Sequence, residues 1–228
     1  KPHFQEVLSL RRKQAECLDP YEHIYDPLLD EYEPEMKTSE VRAMFLSIKD
    51  ELIELVSAIS ARGDVVRDEA LHGDFDIERQ RAFGLDVAQK FGYDLERGRQ
   101  DEAPHPFCTH FSSDDVRITT RFDRSFLPSA LFGTLHEAGH ALYEQGIAPG
   151  LARSGMDTGI SLGVHESQSR LWENLVGRSH SFWRHFFPQL QAAFPDALSE
   201  VDVDSFYRAI NRSQPSLIRV EADEVTYN

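Results

Sequence analysis

Apolar positions along this chain recur mostly three or four residues apart, the spacing that gathers them on one face of an α-helix. Phe4, Val7, Leu8, Leu10 and Ala15 make the first such run, and Asp19-Pro20 ends it, because a residue before proline is driven out of helical backbone. The aromatic and acidic stretch from Tyr21 to Pro34, punctuated by proline, reads as ordered but irregular. From Ser39, a candidate N-cap, Val41, Phe45, Ile48, Leu52, Leu55 and Ile59 step along to a stop at Gly63. That pattern predicts a long amphipathic helix with one buried face.

Asp76 is placed to cap a helix whose stripe is Ile77, Phe83, Val87 and Phe91, ending at Gly92. Asp101–Asp115 reads as loop, with His105-Pro106-Phe107 and a Ser-Ser-Asp-Asp turn signal. Val116–Phe122 then alternates branched apolar with polar residues, the period of a strand. Pro128 suits the first turn of a helix running through Tyr143 to Gly146. After the glycine-rich stretch 150–163, helical spacing returns over Val164–Val176, Phe182–Phe194 and Ser205–Ile210, and Leu217–Asn228 carries no stop signal. The pattern predicts a mainly α fold with a small sheet around Val116–Phe122. With no repeat and no clear linker, residues 1–228 read as one domain.

Composition narrows the partners. In 228 residues, 24 Lys+Arg against 39 Asp+Glu give a net charge of −15, which repels nucleic acid and anionic membrane surfaces. The 40% hydrophobic content, with 15 Phe, excludes wholesale disorder. A spanning helix needs about 20 consecutive apolar residues, and the apolar stretches here are interrupted by charge. The two cysteines, Cys17 and Cys108, lie far apart in a chain rich enough in apolar residues to need no staples, so they read as reduced thiols in a cytoplasmic setting.

The chemistry concentrates in Leu135-His136-Glu137-Ala138-Gly139-His140. Residues four apart on a helix stand one turn above each other, so His136 and His140 can offer two imidazoles to one cation. Glu137 then stands where a general base would activate the attacking water. A catalytic zinc takes a third protein ligand and leaves a position open. Downstream candidates are Glu144, Asp157, His165, Glu166 and Glu173. Glu166, near the start of the next helix, is the first choice, Glu173 the reserve. Gly139 costs about 1 kcal/mol in mid-helix relative to Ala, which makes sense where a neighbouring backbone or ligand must come close.

Five ordered segments carry a resemblance. They are His105-Pro106-Phe107, Asp115-Val116-Arg117-Ile118-Thr119, His136-Glu137-Ala138-Gly139-His140, His165-Glu166-Ser167-Gln168 and Ile218-Arg219-Val220-Glu221-Ala222-Asp223-Glu224-Val225-Thr226-Tyr227. On these the chain resembles the carboxypeptidase Taq family of metallocarboxypeptidases. The resemblance implies His136, His140 and Glu166 as metal ligands and Glu137 as catalytic base. It also implies a mostly helical fold with a deep groove, one divalent metal, zinc first with cobalt or manganese as alternatives, and a homodimer. The substrates implied are peptides with a free C-terminus, released one residue at a time.

Arg117 is the first choice for holding the substrate's terminal carboxylate, since a guanidinium donates two parallel hydrogen bonds. Arg219 is the second, and His105 a further groove residue. Tyr143, His165 and Tyr227 are candidates for the oxyanion, while Glu221, Asp223 and Glu224 are candidates to orient a ligating imidazole. Family members are longer at both ends, so the chain is expected to be the metal-binding middle of that fold. The competing readings are an impaired metal-binding fragment, an aminopeptidase or an endopeptidase.

Overall fold

The computed structural model describes residues 1–18, 20–63 and 65–213. The first run of helical spacing forms α1 (Pro2–Glu16), followed by α2 (Asp26–Asp30) and α3 (Thr38–Ser60). Asp26 ties the last two together: its carboxylate accepts the N–H of His23 at 3.0 Å and that of Thr38 at 2.8 Å. The N-cap of α3 is Lys37 rather than Ser39, and Glu40 accepts the Lys37 N–H at 2.9 Å, as the acidic half of a capping box does. The expected buried face is absent from α3. None of its residues is buried, and Phe45 and Leu52 are 60% and 52% exposed. Periodicity fixes which side of a helix is apolar, but burial needs a facing element, and the described elements leave this side uncovered.

The remainder packs around a shared interior. Asp76 caps α4 (Ile77–Phe91) by accepting the Arg79 N–H at 3.0 Å, and Gly92 ends it in left-handed backbone at φ 111°. The strands β1 (Gly98–Glu102), β2 (Cys108–Ser112) and β3 (Asp115–Thr120) form a sheet in the order β1-β3-β2. β1 runs parallel to β3 with Gly98 opposite Val116, and β2 runs antiparallel with Cys108 opposite Ile118. Two of these strands overlap the segment expected to be loop. Their sequences, Gly-Arg-Gln-Asp-Glu and Cys-Thr-His-Phe-Ser, carry no apolar alternation. Backbone pairing to β3, not their own propensity, makes them strands.

Next comes α5 (Leu127–Gln145), with Pro128 in its first turn. α6 (Leu162–Arg170) runs on into a π-helical turn, Leu171–Val176, where one continuous α-helix is expected. The chain then folds into α7 (His180–Ala193), α8 (Pro195–Leu198) and α9 (Val203–Ile210). Trp183, Phe206, Phe75, Leu135 and Leu190, all fully buried, form the centre of an aromatic core joining α5, α7 and α9. On its other side α5 meets the sheet, with Val116 and Ile118 of β3 against Ala138 and Ala141. Enclosure from both sides fixes α5 as the rigid element on which a site can be built. The N-terminal segment contributes a latch: Glu33 accepts the Ser161 hydroxyl at 2.7 Å, and Tyr32 O accepts the Leu162 N–H at 3.2 Å, at the start of α6. No described helix is long and apolar enough to cross a membrane, and both cysteines are free.

Candidate metal centre

On α5, His136 and His140 stand one turn apart with ring centroids separated by 5.0 Å. What lies opposite depends on Gly139. A Cβ there would come 2.6 Å from Ser169 Cα and 2.7 Å from Gln168 O, so α5 and α6 touch backbone to backbone at this point. Only glycine permits that approach. The close neighbour that the mid-helix glycine foretells is thus the α6 backbone, and it carries Glu166 to the two histidines. Glu166 Oε2 lies 3.2 Å from His140 Nε2 and 3.5 Å from His136 Nε2.

One donor atom from each of His136, His140 and Glu166 falls within 4.8 Å of the others. Two imidazole nitrogens and a carboxylate oxygen converging in this way fit a divalent cation of the zinc type. The electrostatics agree. Burial, with His165 and His136 nearby, pushes His140 down to about 4, so near neutral pH it is an uncharged imidazole with a free lone pair. Burial acts to raise Glu166, but the Ser169 hydroxyl, His136, Arg170 and His140 outweigh it and leave the group below its ordinary value. Glu137, 5% exposed on α5, lies beside the pair and shares with His136 the wall of a cavity of about 500 Å³.

The histidines' outer nitrogens are also engaged. His136 Nδ1 donates to Glu173 Oε2 at 2.9 Å, and Glu173 further accepts Arg170 Nη1 at 3.0 Å. For Glu173 too, burial would raise the pKa, and the hydrogen bond from His136 with the charges of Arg170 and Arg178 brings it below the carboxylate norm. Glu173 is thus a partner of a histidine on its far side rather than a member of the converging set. His140 Nδ1 lies 2.6 Å from His165 Nδ1, and His165 Nε2 donates to Glu144 Oε1 at 2.7 Å. His165, a candidate for the oxyanion on sequence, has both ring nitrogens committed away from the Glu166 side.

The substrate-side candidates separate. His105 lines the cavity, its Nδ1 2.6 Å from Pro106 O. Arg117 does not line it: its guanidinium is held by Asp115 through contacts of 2.7 and 2.7 Å and lies over Phe111. Arg219, Glu221, Asp223, Glu224 and Tyr227 lie outside the described residues. The sequence reading missed the cavity's own cations, Arg121, Arg170, Arg178 and Arg212. Strand alternation already sets Arg121 on the face of Arg117, and Arg170 follows Glu166 by one helical turn. Arg178 and Arg212 reach the cavity through tertiary folding alone.

The family model of the carboxypeptidase Taq (M32) metallopeptidases matches residues 1–228. The chain belongs to this family. Thermostable carboxypeptidase 1 of Thermus thermophilus is 45% identical over 236 residues, covering 100% of this chain and 46% of the relative. Carboxypeptidase 1 of Bacillus subtilis is 39% identical over 226 residues, covering 99% and 45% respectively. Among solved structures, the M32 carboxypeptidase of Deinococcus radiodurans R1 matches with a TM-score of 0.91 at 43% identity, covering 100% of this chain and 46% of that one. The chain therefore spans about half the length of these relatives. Membership in a metallopeptidase family implies a divalent metal, and among the described residues His136, His140 and Glu166 form a group whose donor atoms could hold one.

Proposed function

We propose that residues 1–228 form a metallopeptidase domain that releases single C-terminal residues from peptides, with His136, His140 and Glu166 holding one divalent metal, zinc by its donor set. The convergence of both histidine Nε2 atoms on Glu166, next to Glu137 on a cavity wall, carries the reading. When bound, the cation supplies Lewis-acid polarisation of the scissile carbonyl and of the attacking water. Glu137 takes the proton of that water and delivers it to the leaving amine. Its burial keeps bulk solvent from the path of that proton.

Four arginines around the cavity favour a substrate carboxylate over a substrate amine, and so an exopeptidase acting at the C-terminus over an aminopeptidase. Arg170 is engaged by Glu166 and Glu173, Arg178 by Glu173 and Arg212 by Asp68. No described residue forms an ion pair with Arg121. We therefore move the role of carboxylate anchor from Arg117 to Arg121, with His105 lining the same cavity and Arg219 kept as a second candidate. Two free thiols fit a reducing, cytoplasmic setting, and a homodimer goes with the family reading.

Two substrates decide the matter: an N-blocked dipeptide with a free C-terminus and its C-terminal amide. Zinc-loaded protein should cleave the first and leave the second, and Glu137→Gln should lower turnover about 10²–10⁴-fold. Equal cleavage of the two substrates would reject the exopeptidase reading. Unchanged turnover in Glu137→Gln would reject Glu137 as base.

A further inference from the structure

The two ligating imidazoles are held from behind in different ways. His136 gives its Nδ1 proton directly to Glu173, whose charge is shared with Arg170 at 3.0 Å and Arg178 at 3.4 Å. His140 instead meets a second imidazole. We propose that His165 and Glu144 form a two-member relay that positions His140 for the metal and passes to it the negative charge of a buried carboxylate. The proposal rests on the metal centre argued above.

Proton bookkeeping gives the relay one direction. With the His140 Nε2 lone pair turned toward the metal position beside Glu166, the ring's only proton is on Nδ1. That proton points at His165 Nδ1, 2.6 Å away, which must then accept. His165 consequently carries its proton on Nε2 and donates it to Glu144 Oε1 at 2.7 Å. The reverse direction would set the Nε2 lone pair of His165 against a carboxylate. Every donor meets an acceptor in one arrangement alone, so both tautomers and both ring planes are fixed from the Glu144 end.

The surroundings make the charge count. Glu144 is 3% exposed, on α5 one helical turn past His140. His110 Nδ1 of β2 lies 3.5 Å from its other oxygen, and among the described residues no Lys or Arg forms an ion pair with it. Glu173, by contrast, is partly neutralised by two arginines. The near-parallel packing of His140 and His165, at 24° with centroids 4.5 Å apart, and the Tyr143 ring 5.0 Å from His165 confine the relay sideways. A 9-residue helix, α6, thus supplies both Glu166 and, from the adjacent position, the group that aims His140.

Zinc affinity of the purified full chain, measured by competition with a chromogenic chelator, tests this. His165→Phe keeps the ring's bulk and removes both hydrogen bonds, and should weaken zinc binding about 10–100-fold. The visible absorption of the cobalt-substituted protein should shift, while the thermal midpoint of the metal-free protein should change little. His165→Gln, whose amide offers an acceptor and a donor, should recover most of the affinity. Glu144→Gln should weaken zinc on its own yet add almost nothing to His165→Phe, because residues in series are not additive. Zinc affinity unchanged in His165→Phe, or the effects of His165→Phe and Glu144→Gln multiplying, would overturn the relay. Should His165→Phe fail to fold, the near-isosteric Glu144→Gln decides alone: unchanged affinity overturns the relay and weakened affinity supports it. His136→Ala separates the two levels of argument, since undiminished zinc binding there would remove the metal centre itself.

Discussion

α3 and α5 are both helices with apolar residues at helical spacing, and they end in opposite circumstances. The apolar side of α3 is built from Phe45, Ile48, Leu52 and Leu55, each at least half exposed. That of α5 includes Leu131, Leu135, Ala138 and Ala141, each at most 4% exposed. The difference lies in size as much as in position. Large side chains hold a neighbour at ordinary helix-packing distance, whereas alanine and glycine let backbones touch. At Gly139 that contact sets the separation of α5 from α6, and with it the reach of Glu166 to His136 and His140. Fold stability and site geometry therefore share one packing event in α5, and α3 takes no part in it.

The strongest way to break this contrast is to empty the core behind α5. Trp183 is fully buried, donates from Nε1 to Gly177 O at 2.8 Å, and packs edge-on to Phe206 with centroids 4.7 Å apart. Trp183→Ala should lower the unfolding free energy by about 3–5 kcal/mol, read as a fall in the urea midpoint. A loss under about 1 kcal/mol, the range of surface changes, would mean that this region is not the stabilising core.

A smaller change probes the α5–α6 contact itself. The added methyl of Gly139→Ala would meet backbone atoms of Gln168 and Ser169, which cannot yield as the tip of a flexible side chain does. Overpacking of this kind costs about 1–3 kcal/mol, offset by about 1 kcal/mol of improved helix propensity. The net loss should be about 0–2 kcal/mol. Zinc affinity should suffer more than stability, because separating the helices withdraws Glu166. Unchanged zinc affinity in Gly139→Ala would show that the contact does not position the site.

The same contrast explains what could be read from sequence. His136, Glu137 and His140 share one helix, so spacing alone brought them together, and Glu166 was the first choice among five candidates for a third donor, near the start of the next helix. Gly92 and Asp76 announced the ends of α4 by local chemistry. β1 and β2 were illegible because polar strands recruited by a neighbour carry no period of their own. The cavity arginines escaped for a related reason: Arg178 and Arg212 come from segments far from α5 in sequence, and only tertiary packing joins them to it. Glu144, Glu173 and His165 were visible as candidate donors, but which face of the histidines each would meet depends on the α5–α6 crossing, a distance that no pattern of residue types encodes.

The mildest test falls on α3. Leu52 is already 52% exposed, so Leu52→Gln removes little buried apolar surface, and the two residues differ slightly in helix propensity. Its unfolding free energy should stay within about 0.5 kcal/mol of the parent. Amide hydrogen exchange should agree, with α3 opening at far lower free energy than α5, since few buried apolar contacts hold it. The substitution also shrinks an exposed apolar face, so solubility should rise as stability stays level. A loss above about 1 kcal/mol would place Leu52 in a buried contact in solution, and α3 would then belong with α5 among the packed helices, leaving the choice of covering partner as the only difference between them.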